Sequence, residues 1–340
     1  MREPSLDSLL RFVQKHHPKW TPFGEMEPLS GGNLNHLYRL GGTPEPVIVK
    51  HAPPYIAADP DTPLNPERLR FESDALQAFM PGGALSHLSE GSPDVRPPRW
   101  IGFDPGQSLL AMEDLGNGPN ISEALLASRC RPSIGAKLGA FIGRLHASTA
   151  DRPELKEHFT NSSIQLTRHQ VQYRPAAEWL SKRSPELQNA AGRIEQLGVD
   201  LQKPGRCLIM GDLWPPSIMV QNGQLRLFDW EFVHYGRPLQ DVGHFAAHLL
   251  LLAIADPHIK QAVGRCWIHF RNAYLAETEN QLPGEWNLPE VTNLKRHIGA
   301  ELWMRTAGPF RNGYLFSGMS DSDPRFQHAV QLAVRFMSSS

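Results

Sequence analysis

The stretch that decides the fold is "CLIMGDLWPPSIMVQNGQLRLFDWEF", residues 207–232. Two short apolar runs are separated by Gly211, Asp212 and the pair Pro215-Pro216, and the second run carries Asn222-Gly223 at its centre. Asn-Gly between apolar segments signals a two-residue hairpin turn with positive φ at both positions. With that turn as pivot, Gln221 faces Gln224 and pairing runs outward until Ser217 meets Phe228 and Asp229 lies opposite Pro216. The register thus brings Ser217 and Asp229 to the open end of the hairpin, beside the loop that carries Asp212. A hard cation such as magnesium takes a carboxylate or two, further oxygens, and water or phosphate. Asp229 meets the first need, and alternation places Glu231 on the same face if the strand stays extended. Asp212, just upstream, suits a group that accepts or orients a hydroxyl proton. Taken singly, Gly-Asp and Pro-Pro are also ordinary turn chemistry, and Asp229 a strand-end cap.

Working towards the amino terminus, "SGGNLNHLYRL", "GGTPEP" and "VIVK" read as strand, turn and strand over residues 28–50, headed by a glycine turn. Pro66 opens "PERLRFESDALQAF" as a helix, with Leu69, Leu76 and Phe79 at helical spacing and Glu72 on the same face. A carboxylate turned inward needs a cation, and Lys50 at the end of "VIVK" is the nearest candidate. "PRWIGFD" and "QSLLAMEDLG" read as two more strands. Beyond them the texture is helical. "SIGAKLGAFIGRLHAST" repeats Gly135, Gly139 and Gly143 four apart, a pattern that permits close helix contact, and residues 151–200 and 238–340 read as mostly helical.

The 340 residues suffice for two lobes, and a formal net charge of −1 with mixed signs lacks the basic footprint of a nucleic-acid binder. Cys130, Cys207 and Cys266 are three in number and far apart, which fits neither a disulfide framework nor a zinc cluster and implies a reducing, cytoplasmic setting. The run from Phe245 to Ala255 is broken by His248 and too short to span a bilayer, so no membrane partner is expected. His244 and His248 in "HFAAH" lack the glutamate of a metalloprotease helix and read as helix packing.

The glycine turn, Lys50, Glu72, Asp212 with Ser217 five positions on, and Asp229, in this order, resemble the protein-kinase-like fold. "MGDLWPPS", "LFDWEF", "YGRPLQDVGHF" and "LGAFIGRLHA" are similar to the aminoglycoside phosphotransferase and choline kinase superfamily of small-molecule kinases, and "GGNLNHLYRL" with "VIVKHAPPYIA" looks most like methylthioribose kinase. The interval from Asp229 to Asp241 is too short for the activation loop of a protein kinase.

The resemblance implies an α+β, two-lobed protein-kinase-like fold. Residues 1–115 would form a small antiparallel-sheet lobe with one helix, and residues 116–340 a larger, mostly helical lobe. It implies ATP and Mg2+ as cofactors, and transfer of the γ-phosphate to a hydroxyl of a sugar, nucleoside-like compound or amino alcohol. Asp212 would be the base, and Lys50, paired with Glu72, would meet the phosphates. The turn of Ser30, Gly31, Gly32, Asn33 and Asn35 would cover them, with Met112, Glu113 and Leu115 as the hinge around adenine. Ser217 and Asp229 would hold the metal with help from Glu231, and Asp241 would anchor the catalytic loop. Trp214, Trp303, Arg305 and Arg311 are the candidates for gripping the acceptor. Three departures stand out. Met210 occupies the family's histidine position, "ADPDTPL" lacks a tryptophan, and Arg305 is followed by Thr306 instead of a second arginine. Methylthioribose kinase proper is one alternative; a nucleotide-binding pseudokinase is the other.

Overall fold

The computed structural model describes residues 4–29, 34–284 and 286–340. The chain divides into two compact units, Met1–Gly118 with Arg226–Val233, and Pro119–Leu225 with His234–Ser340.

In the first unit, α1 (Leu6–His16) is followed by β1 (Thr21–Leu29), β2 (His36–Thr43) and β3 (Val47–His51). A small hairpin of β4 (Tyr55–Ile56) and β5 (Asp59–Pro63) occupies the proline-rich segment. Next come α2 (Arg68–Ala78), α3 (Ser86–Glu90), β6 (Val95–Arg96), β7 (Trp100–Asp104) and β8 (Leu109–Glu113). The main sheet is antiparallel throughout, in the order β1-β2-β3-β8-β7. Its core joins Leu9, Phe12 and Val13 of α1 to Trp20, Tyr38, Leu40, Val47, Val49, Leu109 and Ala111.

The β2–β3 hairpin matches the expectation from sequence, with Leu37 opposite Lys50. β1 was not foreseen, because its mostly exposed residues show no period-two alternation. α2 begins at Arg68 rather than at Pro66: the Asn65 side chain accepts from the Glu67 amide at 2.9 Å, a local turn that delays the helix. The inward face is as expected, with Leu69, Glu72, Leu76 and Phe79 all buried.

The second unit holds α4 (Ile121–Leu126), α5 (Pro132–Ser148), α6 (Pro153–His158), α7 (Ser162–Arg168), a π-helical turn over His169–Tyr173, α8 (Arg174–Ser181) and α9 (Gln188–Asp200). β9 (Cys207–Ile209) precedes β10 (Ile218–Gln221) and β11 (Gln224–Leu227), and β12 (His234–Gly236) pairs antiparallel with β9. α10 (Pro238–Ala255), α11 (Lys260–Thr278), α12 (Leu288–Met304) and α13 (Pro324–Met337) complete the chain.

The glycines of α5 are where this unit closes most tightly. A Cβ on Gly135 would lie 2.2 Å from the Cys266 carbonyl oxygen, and one on Gly139 would lie 2.1 Å from that of Phe270, both on α11. α10 is long and apolar enough to cross a membrane by composition, yet 83% of it is buried inside the protein; it is a core helix.

Between β10 and β11, Asn222 and Gly223 have φ of 52° and 76°, the turn their sequence demands. The strands stop at Ile218 and Leu227, short of the extended register expected from sequence. Ser217 ends a 3-10 turn, Asp229 is left-handed with φ 62° and ψ 56°, and Trp230–Phe232 form another 3-10 turn. Asp229 and Glu231 are therefore not neighbours on one face of a strand.

Candidate functional site

In the first unit, β3 delivers Lys50 into the interior, where its side chain is 2% exposed. Its Nζ lies 2.8 Å from Glu72 Oε2, 2.9 Å from Asp229 Oδ1 and 3.7 Å from Glu231 Oε1. The Lys50–Glu72 pair expected from the face of α2 is present. The left-handed corner at Asp229 is held on both sides: Trp230 Nε1 donates to the Leu227 carbonyl at 2.8 Å, and the Trp230 amide donates to Glu72 Oε1 at 3.3 Å. A non-glycine residue in this conformation is uncommon, and here it turns the carboxylate toward Lys50.

Glu231 has a different role from the one alternation assigned. Its carboxylate, buried with its residue at 4% exposure, accepts from Asn35 Nδ2 at 3.0 and 2.9 Å and from Arg68 Nε at 3.1 Å. Arg68 also donates to the carbonyls of Leu34, Pro53 and Asn65 and to Asn35 Oδ1. Glu231 thus ties Asn35 to α2. Asp229, at 36% side-chain exposure, is the carboxylate of the two with access to solvent.

Three carboxylates, Glu72, Asp229 and Glu231, face two cations, Lys50 and Arg68, and burial pushes the Glu72 carboxyl up to about 7 against the pull of Lys50. Burial works against the Lys50 ammonium, but Asp229, Glu72 and Glu231 outweigh it and raise its pKa. Asp229, the solvent-reaching carboxylate, could give a hard cation one oxygen; among the described residues no group of three His, Cys, Asp or Glu side chains is placed to hold a metal, so further oxygens would come from water and phosphate.

Of the other expected nucleotide contacts, Ser30, Gly31, Gly32 and Asn33 lie outside the described residues. Met112 sits on β8 opposite Ile48, and Leu115 follows the strand half-buried. Glu113 turns its side chain to Arg96, at 2.6 and 2.7 Å.

In the second unit the loop after β9 is suspended from one carboxylate. Asp241 accepts from the amides of Met210 and Gly211, both at 2.8 Å, and its Oδ2 lies 3.2 Å from His146 Nε2. Gly211 has φ 80°, which an L side chain rarely adopts. Met210 is fully buried and contributes its backbone rather than a polar side chain.

Asp212, the next residue, meets Arg168 Nη2 at 3.2 Å and His244 Nδ1 at 3.3 Å, both through Oδ1. Burial would raise its carboxyl pKa, but His244, Arg168 and Arg305 outweigh that and hold it well below the usual carboxylate range. Behind it, Glu301 is 1% exposed and lies within 2.8 Å of Arg305 Nε, 2.7 Å of Gln172 Nε2, 3.1 Å of His248 Nε2 and 3.4 Å of His244 Nε2. The Arg305 guanidinium lies 4.8 Å from the Trp214 ring and 5.6 Å from that of Tyr314. Trp214 Nε1 donates to the Ser217 hydroxyl.

Trp214 and Arg305 are therefore brought to Asp212's surroundings, whereas Arg311 has its own partners and Trp303 has a ring neighbour but no hydrogen bond on its buried Nε1 among the described residues. Trp303 packs near Trp179 at 6.1 Å between ring centroids, and Arg311 bonds Asp321 at 2.6 Å and stacks over Phe326. Sequence reading missed Arg168, His244 and Glu301. His244 and His248 are not plain helix packing but polar members of this cluster; their four-residue spacing, and that of Glu301 and Arg305, held the available signal. Asp212 and Ser217 belong to the second unit, Asp229 and Glu231 to the first.

Residues 25–275 match the phosphotransferase enzyme family. The chain is 27% identical over 322 residues to 4-hydroxytryptamine kinase of Psilocybe cyanescens, with 88% of this chain and 85% of that one covered. It is 26% identical over 355 residues to methylthioribose kinase of Geobacillus sp. (strain WCH70), covering 94% and 86%. Its fold is similar to the crystal structure of choline kinase from Cryptosporidium parvum Iowa II, with a TM-score of 0.55, 14% identity and coverage of 98% and 96%.

Proposed function

The chain belongs to the phosphotransferase enzyme family, as a small-molecule kinase, and from that premise we propose that it transfers the γ-phosphoryl group of ATP to a hydroxyl of a small molecule, with Asp212 as the base. The observation that carries this reading is the setting of Asp212: a carboxylate, 19% exposed, with one oxygen 3.2 Å from Arg168 Nη2 and 3.3 Å from His244 Nδ1. A base so placed can take the proton of an attacking hydroxyl while that hydroxyl is oriented for in-line displacement.

Lys50, kept charged by three carboxylates, is suited to meet phosphate oxygens, and Glu72 keeps it extended from β3. Asp229 would hold Mg2+, which when bound neutralises developing charge on the phosphates. Asn35, fixed by Glu231 and Arg68, steadies the end of the expected glycine turn. Met112, Glu113 and Leu115 would border the adenine. Trp214 and Arg305 are the acceptor contacts that the geometry supports best, in an aromatic and hydrogen-bonding setting suited to a polyol, a nucleoside-like ring or an amino alcohol. The two named relatives act on an indole and on a thiosugar by their names, so likeness alone does not select between such acceptors.

The pseudokinase reading is disfavoured by the intact Lys50–Glu72–Asp229 cluster and by the placement of Asp212 beside Arg168 and His244. The test is ADP release from ATP and magnesium across a panel of sugars, nucleosides and amino alcohols, with mass detection of the phosphorylated product. Asp212→Asn should lower kcat by about 10²–10⁴-fold while a nucleotide-induced thermal shift persists. A wild-type rate in that variant would refute the base, and nucleotide binding without transfer to any acceptor would favour the pseudokinase.

A further inference from the structure

Resting on the reading of Asp212 as the base, we infer that His244 and Arg168 are its positioning residues: together they occupy Oδ1 and turn Oδ2 toward the acceptor hydroxyl. Four contacts fix the arrangement. Arg168 Nη2 donates to the Gly211 carbonyl at 2.8 Å and to Asp212 Oδ1 at 3.2 Å, while Nη1 reaches His244 Nε2 at 2.9 Å and Gln172 Oε1 at 3.1 Å. A guanidinium can only donate, so His244 Nε2 must present its lone pair to Arg168.

The imidazole proton then resides on Nδ1, 3.3 Å from Asp212 Oδ1, where it makes no hydrogen bond among the described residues and offers the carboxylate its N–H dipole. The hydrogen bond at one ring nitrogen sets the proton on the other. Glu301 Oε2, 3.4 Å from Nε2, therefore acts on this ring as a charge and not as a hydrogen-bond acceptor, and its own donors are Gln172 and Arg305. Asp212 Oδ2 makes no hydrogen bond among the described residues.

This assigns a task to a histidine that the sequence pattern leaves as helix packing. The main chain of Met210 and Gly211 is held by Asp241, and Met210 has no polar atom with which to steer the carboxylate that follows. Steering comes instead from α7 and α10, through Arg168 and His244. A base restrained at one oxygen loses rotational freedom about the carboxyl group without losing its second acceptor, the condition for repeated proton transfer at one place.

Two experiments on the full chain test this. With nitrogen-15-labelled histidine, the His244 resonances, assigned by their loss in His244→Asn, should report a neutral ring protonated on Nδ1 at pH 7.5; protonation on Nε2 overturns the proposal. In kinetics with ATP, magnesium and either 4-hydroxytryptamine or methylthioribose as acceptor, His244→Asn, whose amide N–H can stand at the Nδ1 position, should rescue kcat about tenfold over His244→Gln, with KM for ATP alike in both. Equal kcat in the two variants overturns it. Should neither acceptor turn over, or either variant fail to fold, the tautomer decides, with assignment then by Arg168→Lys, which moves the Nε2 signal. An inactive Asp212→Asn with equal Asn and Gln variants defeats only this inference, whereas a fully active Asp212→Asn defeats the base itself.

Discussion

Two carboxylates two positions apart, Asp229 and Glu231, show how little residue type says about task. Both approach Lys50, yet one is partly open to solvent and the other is consumed by Asn35 and Arg68. Glu231→Gln removes the charge opposite a buried guanidinium, so it should destabilise the protein by about 3–5 kcal/mol in urea unfolding while leaving the magnesium concentration for half-maximal ADP release unchanged. Asp229→Asn should do the reverse, raising the magnesium requirement with a smaller loss of stability. If Glu231→Gln raised that requirement as much as Asp229→Asn, Glu231 would be a metal ligand after all. The same contrast applies at Met210. Its position in the sequence invites a question about a missing imidazole, and the structure meets it with imidazoles from elsewhere, His146 on Asp241 and His244 on Asp212.

At the scale of elements, the α5–α11 contact depends on what is absent from α5. Its glycines cost helix stability in the unpacked state, about 1 kcal/mol each relative to alanine, and allow the backbone of α11 to approach within a distance that a methyl group would occupy. Gly139→Ala places a Cβ 2.1 Å from the Phe270 carbonyl oxygen, and overpacking should outweigh the propensity gain, for a net loss of about 1–3 kcal/mol. Gly192 on α9 has nothing within 4 Å of such a Cβ, so Gly192→Ala should instead gain about 0.5–1 kcal/mol. Urea unfolding of both variants checks the opposite signs. Strand ends were less legible than helix faces. β11 reads as continuing through Asp229, but the chain leaves the strand at Leu227 because Trp230 finds partners in Glu72 and the Leu227 carbonyl that an extended chain would not offer it.

For the molecule as a whole, buried histidines set the response to acid. Burial, with Arg237 and Arg168 adding to it, pulls His297 down from 6.5 to about 3, and its Nδ1 lies 2.7 Å from Tyr173 Oη. His248 is also lowered, by burial first. A base depressed on folding favours the neutral native form, so its contribution is complete above pH 6.5 and is lost as pH falls toward 3. Asp212 and Glu301, depressed by their cations against the effect of burial, add a loss that begins near their ordinary values and continues below them. These groups should lower the urea midpoint as pH falls below about 6.5, while Glu72, pushed up to about 7 by burial, offsets part of that loss between about 7 and 4.5. His297→Gln should flatten the first part of that decline, and an unchanged slope would show that His297 does not carry it.

What the sequence by itself determined was local and periodic. It specified the Asn222-Gly223 turn, the β2–β3 hairpin, the buried face of α2 with Glu72 seeking Lys50, and the small-residue stripe of α5, because each depends on residues a few positions apart. The order of its motifs was also sufficient to identify the family. Only the tertiary structure decided which polar groups neutralise one another. Arg68 and Glu231 are 163 positions apart, and Arg168 and Asp212 are 44 apart. Pairings of that range leave no period in the chain, and their energy lies in burial and geometry that exist only once the elements have packed.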